Sequence, residues 1–300
     1  MPPLLVMLLA LVGISFAGPL TRLSHAHPLA IAIWRLGFSL IIVAIALVGT
    51  GGWREWRRLD RRAVGVCVAA GVMLAFHFWT WNASIGLTTV AASVVLVNTQ
   101  PVIVALLSVV WLREPPTRGQ WIGIAIAMLG AFAVAFPDIA APHANASRAL
   151  LGDALALIGA VAAACYFVAG RRLRATLDLW PYVGLVYGTC FVVLLLLAAL
   201  DHAPVLHQPP RELAIFAALA LGPMLLGHTG LNWALKYMPA YVVNLTLLGE
   251  PVGATILAAV VPGIRELPGM ATLLGGALIL AGIYVTVRHA PQPELAAPVD

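Results

Sequence analysis

Runs of about 20 apolar residues, long enough to span a bilayer's hydrocarbon core, recur along the whole chain with short polar breaks between them. Ten can be placed, at 4–21, 29–49, 63–83, 90–111, 120–137, 151–170, 180–200, 212–236, 239–262 and 268–287. Apolar residues lie on every side of these runs, so the alternation of a β-barrel strand is absent and helices are predicted. The breaks are short, and consecutive helices are expected to be antiparallel neighbours. The fold class is therefore an all-α integral membrane protein with ten transmembrane helices. Small residues follow the first run, as in a secretory signal, but no basic flank precedes it, and it is expected to remain as a helix.

Composition agrees with this pattern. Hydrophobic residues make up 62% of the chain and charged residues only 10%, more apolar surface than a soluble core of this length can hide. The net charge of +5 does not point to a nucleic-acid partner, because the arginines sit in short loops between apolar runs. Cys67, Cys165 and Cys190 all fall inside runs and are expected as buried thiols, not disulfides.

The second half of the chain repeats the first, and self-similarity of this kind fixes architecture. NASIGLTTVAASVVLVNTQP (82–101) aligns with NWALKYMPAYVVNLTLLGEP (232–251) at an offset of 150, setting Asn82 on Asn232, Gln100 on Glu250 and Pro101 on Pro251. The register then slips by two, placing Arg113-Glu114 on Arg265-Glu266, Gly123 on Gly275 and Gly130 on Gly282. Residues 1–137 form repeat one and residues 151–288 repeat two, with 289–300 left as a tail.

Loop charges orient the chain. With the N-terminus in the cytoplasm, the inner loops carry Arg54, Arg57, Arg58, Arg61, Arg62, Arg113, Arg118, Arg171, Arg172, Arg174, Lys236 and Arg288. The outer loops carry Arg22, Arg148, Arg211 and Arg265. Twelve against four places both termini in the cytoplasm, with the protein in the inner membrane of a bacterial-type cell. The run GGWREWRRLDRR (51–62) fits an interfacial anchor, or alternatively a lipid-recognition patch. Five helices per repeat is an odd number, so repeat two enters the membrane with the opposite polarity. Inverted repeats of this kind recur in secondary transporters, which bind substrate near the midplane where the repeats meet.

The segment from Asn98 to Val134, including QPVIVALLSVVWLREPPTRGQWIGIAIAMLGAFAV, resembles the half-repeat of the EamA-type drug/metabolite transporters. LLGEPVGATILAAVVPGIRELPGMATLLGGALILAGIYV, near the C-terminus, resembles the same unit, and the likeness extends over nearly the whole chain. It implies a ten-helix fold with helices one to four and six to nine around a central cavity, and five and ten behind. It also implies export of amino acids, related metabolites or drugs. One departure is that Gln100 stands in repeat one where Glu250 stands in repeat two.

The candidate substrate-binding residues are polar groups inside the spans. Glu250 lies mid-span, where an unpaired carboxylate costs several kcal/mol. It would take a proton, a cation or a substrate ammonium, or else be a neutral acid bonded between helices. Pro251 lacks an N–H and is expected to free the carbonyl of Leu247. Gln100-Pro101 is expected to make the same kink without the charge, and Pro101 and Pro251 to serve as hinges or fixed kinks. Arg35 is the one Lys or Arg well inside a span. It would bind a carboxylate bidentately, pair with Glu250, or snorkel to the interface.

In FHFWTWN on the third span, His77 and Trp81 share one helix face, while Trp79 and Asn82 lie nearby. His228 and Asn232 occupy the equivalent part of the eighth span. Metal ligation is disfavoured, since no Cys or carboxylate cluster accompanies the histidines. Asn98, Tyr241 and Asn244 are further candidates, and with Trp34, Tyr166 and Tyr187 they serve equally well as helix–helix hydrogen-bonding groups. The glycines of spans five and ten are expected to let those helices approach each other, or a neighbouring protomer, away from substrate.

No phosphate-cradling Gly-rich loop or hydrolase motif is present, so no cofactor and no enzymatic activity are predicted. The reading is a secondary transporter exporting small metabolites by alternating access, amino acids first and aromatic or hydrophobic ones favoured. Its partners are the substrate, the lipid bilayer and a possible coupling proton, and it acts as a monomer or a homodimer. The alternatives are a multidrug or nucleotide-derivative carrier, an intramembrane enzyme using His77, His228 and Glu250, and a passive channel.

Overall fold

The computed structural model describes residues 2–88, 90–139, 146–250, 252–253, 256–257 and 269–290, and all regular structure among them is helical. In chain order the helices are α1 (Pro3–Thr21), α2 (Pro28–Gly49), α3 (Arg61–Ile85), α4 (Val95–Leu112), α5 (Arg118–Val134), α6 (Ser147–Arg174), α7 (Leu179–Leu200), α8 (Pro210–Ala234), α9 (Ala240–Gly249) and α10 (Met270–Arg288). Eight are long and apolar enough to cross a membrane. The described parts of α5 and α9 are shorter but also apolar. Pro251, Arg265 and Glu266 lie outside the described residues, so the proposed second hinge does too.

Local chemistry sets several helix starts. Asp60 caps α3, its carboxylate accepting the Ala63 N–H at 2.6 Å. α5 opens on a capping box: the Gln120 side chain accepts the Thr117 N–H at 2.7 Å, and the Thr117 hydroxyl accepts the Gln120 N–H at 3.3 Å.

Among the irregularities within helices, three lie beside the residues of interest. The chain of α4 breaks at Asn98-Thr99 and resumes at Gln100–Leu107, with Pro101 in the first turn, where its missing N–H leaves no bond unmade. α8 widens to a π-helix over Ala220–Thr229 around the internal Pro223, and the Thr229 hydroxyl donates to the Met224 carbonyl at 3.2 Å. In α9 the turn Thr246–Gly249 tightens to 3-10, and the Glu250 N–H donates to the Leu247 carbonyl. That corrects the expectation of a free Leu247 carbonyl: the tightened turn supplies a donor from three residues ahead, where a regular α-helix would have needed the N–H of Pro251.

α3 packs on α6 and α7, α8 on α1 and α2, α4 on α6, and α9 on α1. α2 packs on α7, α4 on α9 and α5 on α10. Exchanging each of the first five helices with its counterpart five places later turns this set of contacts into itself. α5 and α10 approach at glycines: a methyl group added at Gly130 would lie 2.6 Å from the Gly275 carbonyl oxygen. The molecule is apolar outside, with Leu8, Val48, Leu150 and Leu200 exposed. It is polar in places within, with Arg35, Asn232 and Asn244 buried.

Candidate functional site

A cavity of about 40 Å³ lies at the centre of the bundle. Every helix except α5, α7 and α10 contributes to its wall. Four pairs of lining residues are related by the repeat offset of 150: Ala17 with Phe167, Phe78 with His228, Val97 with Leu247, and Gln100 with Glu250. The cavity therefore sits where equivalent positions of the two halves converge.

Seven of the twelve candidate residues line it: Arg35, His77, Trp81, Asn98, Gln100, His228 and Glu250. Arg35 is 2% exposed, so its head does not snorkel to an interface. Its guanidinium lies 4.3 Å from the centre of the Phe78 ring, and Nη2 reaches the weak acceptor Met224 Sδ at 3.6 Å. No ion pair within 4.0 Å joins it to Glu250, although both face the same space. His77 is fixed by Nδ1 against the Gly159 carbonyl at 3.0 Å and stacks parallel to Trp81, with centroids 6.2 Å apart. His228 meets the Phe78 ring edge-on at 5.5 Å. Among the described residues Arg35 Nε, Trp81 Nε1, Gln100 Oε1 and His228 Nδ1 are buried without a hydrogen-bond partner.

The other five candidates lie elsewhere, each for a local reason. Trp79 points off the cavity face and packs on Phe76 at 6.0 Å. The Asn82 amide donates to the Pro28 carbonyl at 3.4 Å. Asn244 is buried in α9, and neither end of its amide finds a partner among the described residues. Asn232 joins a polar cluster that ties α6, α7 and α8 together. Its amide donates to the Tyr166 hydroxyl, to the His228 carbonyl at 2.8 Å and to the Tyr187 hydroxyl at 3.4 Å, while Tyr187 and Thr229 hydroxyls meet at 3.0 Å. Tyr166→Phe is expected to lower stability by about 1 kcal/mol, the scale of an interhelical hydrogen bond in a membrane, read as a lower unfolding midpoint in detergent.

Tyr241 lines a second, larger hollow of about 1440 Å³ at the arginine-rich end of the bundle, where its hydroxyl donates to Gln120 Oε1 at 3.0 Å. Arg171 and Glu114 stand in its wall as a bidentate pair, at 2.7 Å for Nη2 to Oε1 and 3.2 Å for Nε to Oε2. Arg171 Nη1 also donates to the Leu235 carbonyl at 2.8 Å, so one side chain joins α6, the segment after α4 and the end of α8. Along α6, Arg171 of the large hollow and Tyr166 of the central cavity are only about 7.5 Å apart.

The apolar lining contributed by α1 and α6 carries no signal in the sequence. Ile14, Ala17, Ala163 and Phe167 have no chemical signature, and the repeat offset links only Ala17 to Phe167, so neither chemistry nor register singles the four out before the fold is known. Among the described residues no group of three His, Cys, Asp or Glu side chains is gathered as a metal site requires.

Comparison with known proteins agrees with this geometry. The profile of the EamA-like transporter family matches residues 1–136 and again residues 150–288. An uncharacterized transporter of Archaeoglobus fulgidus is 26% identical over 92% of this chain and 94% of its own length. The uncharacterized transporter YdfC of Bacillus subtilis is 26% identical over 83% of this chain and 79% of its own. A probable terminal-alkyne amino-acid exporter of Streptantibioticus cattleyicolor is 29% identical over 86% and 84%. A solved crystal structure superposes with a TM-score of 0.80 at 20% identity over 95% of this chain and 96% of that one, a likeness of fold. With its helical membrane architecture and a family match in each half, this chain belongs to the EamA-like transporter family.

Proposed function

We propose that this membrane transporter exports small metabolites, foremost amino acids, across the inner membrane by alternating access, with the substrate held in the central cavity. The observation that carries the reading is the set of four repeat-related pairs lining one small cavity. A site built from equivalent positions of two inverted halves can be opened to either side by exchanging their conformations. Repeat one spans 1–137 and repeat two 151–288, both termini face the cytoplasm, and the arginine-rich hollow is then the inner vestibule. The break before Pro101, and Pro251 in the other half, act as hinges about which α3, α4, α8 and α9 rock. Glu250 is the acid through which a proton would be exchanged.

The likeness to a probable amino-acid exporter supports the substrate class. The cavity supports it too, since one buried cation and one acid among the described lining residues make it poorly matched to a polyanionic nucleotide. Apolar and aromatic walls from Phe78, Trp81 and Phe167 favour hydrophobic side chains. Proteoliposomes holding the purified protein are expected to give saturable exchange of labelled hydrophobic L-amino acids, stimulated by unlabelled amino acid on the opposite side and needing no ATP. Absence of exchange across all twenty amino acids would overturn the reading.

A further inference from the structure

Four of the polar groups that line the central cavity beside His77, Asn98, Tyr166 and His228 fall into two chemical sets. Arg35 Nε and Trp81 Nε1 are donors, whereas Gln100 Oε1 and the Glu250 carboxylate are acceptors. Arg35, Trp81 and Gln100 are each nine-tenths or more buried. The Arg35, Trp81 and Gln100 atoms named have no partner among the described residues, and no ion pair joins Arg35 to Glu250. A buried charge left unpaired is costly, and a buried donor or acceptor left unmade costs about 1–3 kcal/mol. Such an arrangement persists when a ligand regularly supplies the missing partners.

We infer that the cavity is a bracket for the zwitterionic head of an α-amino acid. Arg35 and Trp81 take the carboxylate, and Glu250 and Gln100 take the ammonium. The inference rests on the amino-acid reading above and assigns the two charges to their partners. Arg35 is already held in place to receive a carboxylate, because stacking on Phe78 fixes the guanidinium while leaving Nε unpartnered. A net cation would satisfy Glu250 and strand Arg35, and an anion would do the reverse. Only a molecule carrying both charges close together leaves neither exposed to the low-dielectric interior.

Size sharpens the assignment. At ~10–15 Å³ per water, a space of 40 Å³ takes about three waters. That matches a head group and leaves no room for an indole or phenyl ring beside it. The bracket therefore selects for the head group, while the side chain is accommodated by movement of the apolar wall and is discriminated weakly.

The test starts with the wild-type protein. Reconstituted wild-type protein exchanging labelled L-leucine, and separately labelled L-phenylalanine, is challenged with analogues lacking one charge. For leucine these are 3-methylbutylamine, without the carboxylate, and N-acetyl-L-leucine, without the ammonium. Each is expected to compete more than tenfold more weakly than leucine, because a site built around a polar group rejects the analogue that leaves it unpaired. Leucine and phenylalanine are expected to differ from each other by less than that. Arg35→Gln is expected to erase the discrimination against the amine, and Glu250→Gln that against the N-acetyl compound. If either analogue competes as well as leucine while leucine is exchanged, the bracket is overturned and amino-acid transport stands. If none of the twenty amino acids is exchanged, the transport reading falls and the bracket with it.

Discussion

Glu250→Gln is expected to lower amino-acid exchange by more than tenfold while leaving the unfolding midpoint in detergent unchanged or raised. The activity loss corresponds to at least about 1.4 kcal/mol of lost stabilisation. It follows from removing the one acid that lines the cavity among the described residues. The stability half of the result follows from the repeat. Gln100 occupies the equivalent position in the first half and lines the same cavity, so an amide of this size already fits there. A carboxylate inside a membrane span carries a penalty of about 2.5–3.5 kcal/mol on insertion scales, which the amide largely avoids. Reduced activity with retained or increased stability is the signature of a group kept for function. Exchange within twofold of wild type would remove Glu250 from the mechanism. A lowered midpoint with proportionate loss of activity would make it a structural residue.

The same comparison of halves explains what is legible in the sequence. Spans, loop charges and the register of the repeat are carried by composition and spacing, which survive without coordinates. Gln100, Glu250, Arg35, His77, Trp81 and His228 stand out because polar groups inside apolar runs are rare and need partners. Which of the polar groups have found partners is not visible there. Asn82 and Asn232 are equivalent in register, and one alignment treats them alike. In the fold the Asn232 amide is engaged by Tyr166 and Tyr187, whereas the Asn82 amide donates to the Pro28 carbonyl and joins no tyrosine cluster among the described residues. Tyr241 likewise reads as a cavity residue until the fold supplies its partner, the capping residue Gln120, far along the chain. The Leu247 carbonyl escapes prediction because a turn's tightening to 3-10 depends on packing as well as on the following proline.

The asymmetry between halves is thus confined to a few positions on a symmetric frame, and the frame itself depends on close backbone approach. Gly282→Val is expected to have the largest effect on folding of any single change in α10. A Cβ at Gly282 would lie 2.5 Å from both the Gly123 carbonyl oxygen and the Ala127 backbone nitrogen, and 2.7 Å from the Ala127 Cβ. Two of these three neighbours are backbone atoms of α5, so no rotamer change relieves the clash and the helices must separate. Overpacking of this kind costs about 1–3 kcal/mol in a well-packed core, and valine adds its two methyl groups to the Cβ. Separation also loosens the register in which Gly130 faces Gly275 farther along the same pair. The expected result is several-fold less monodisperse protein after detergent extraction, with a lower unfolding midpoint in what remains. Gly65→Ala and Gly188→Ala are the controls, because an added Cβ meets nothing within 4 Å at either site. If Gly282→Val were recovered like these controls, the close approach of α5 and α10 would not be what holds the two halves together at their rear.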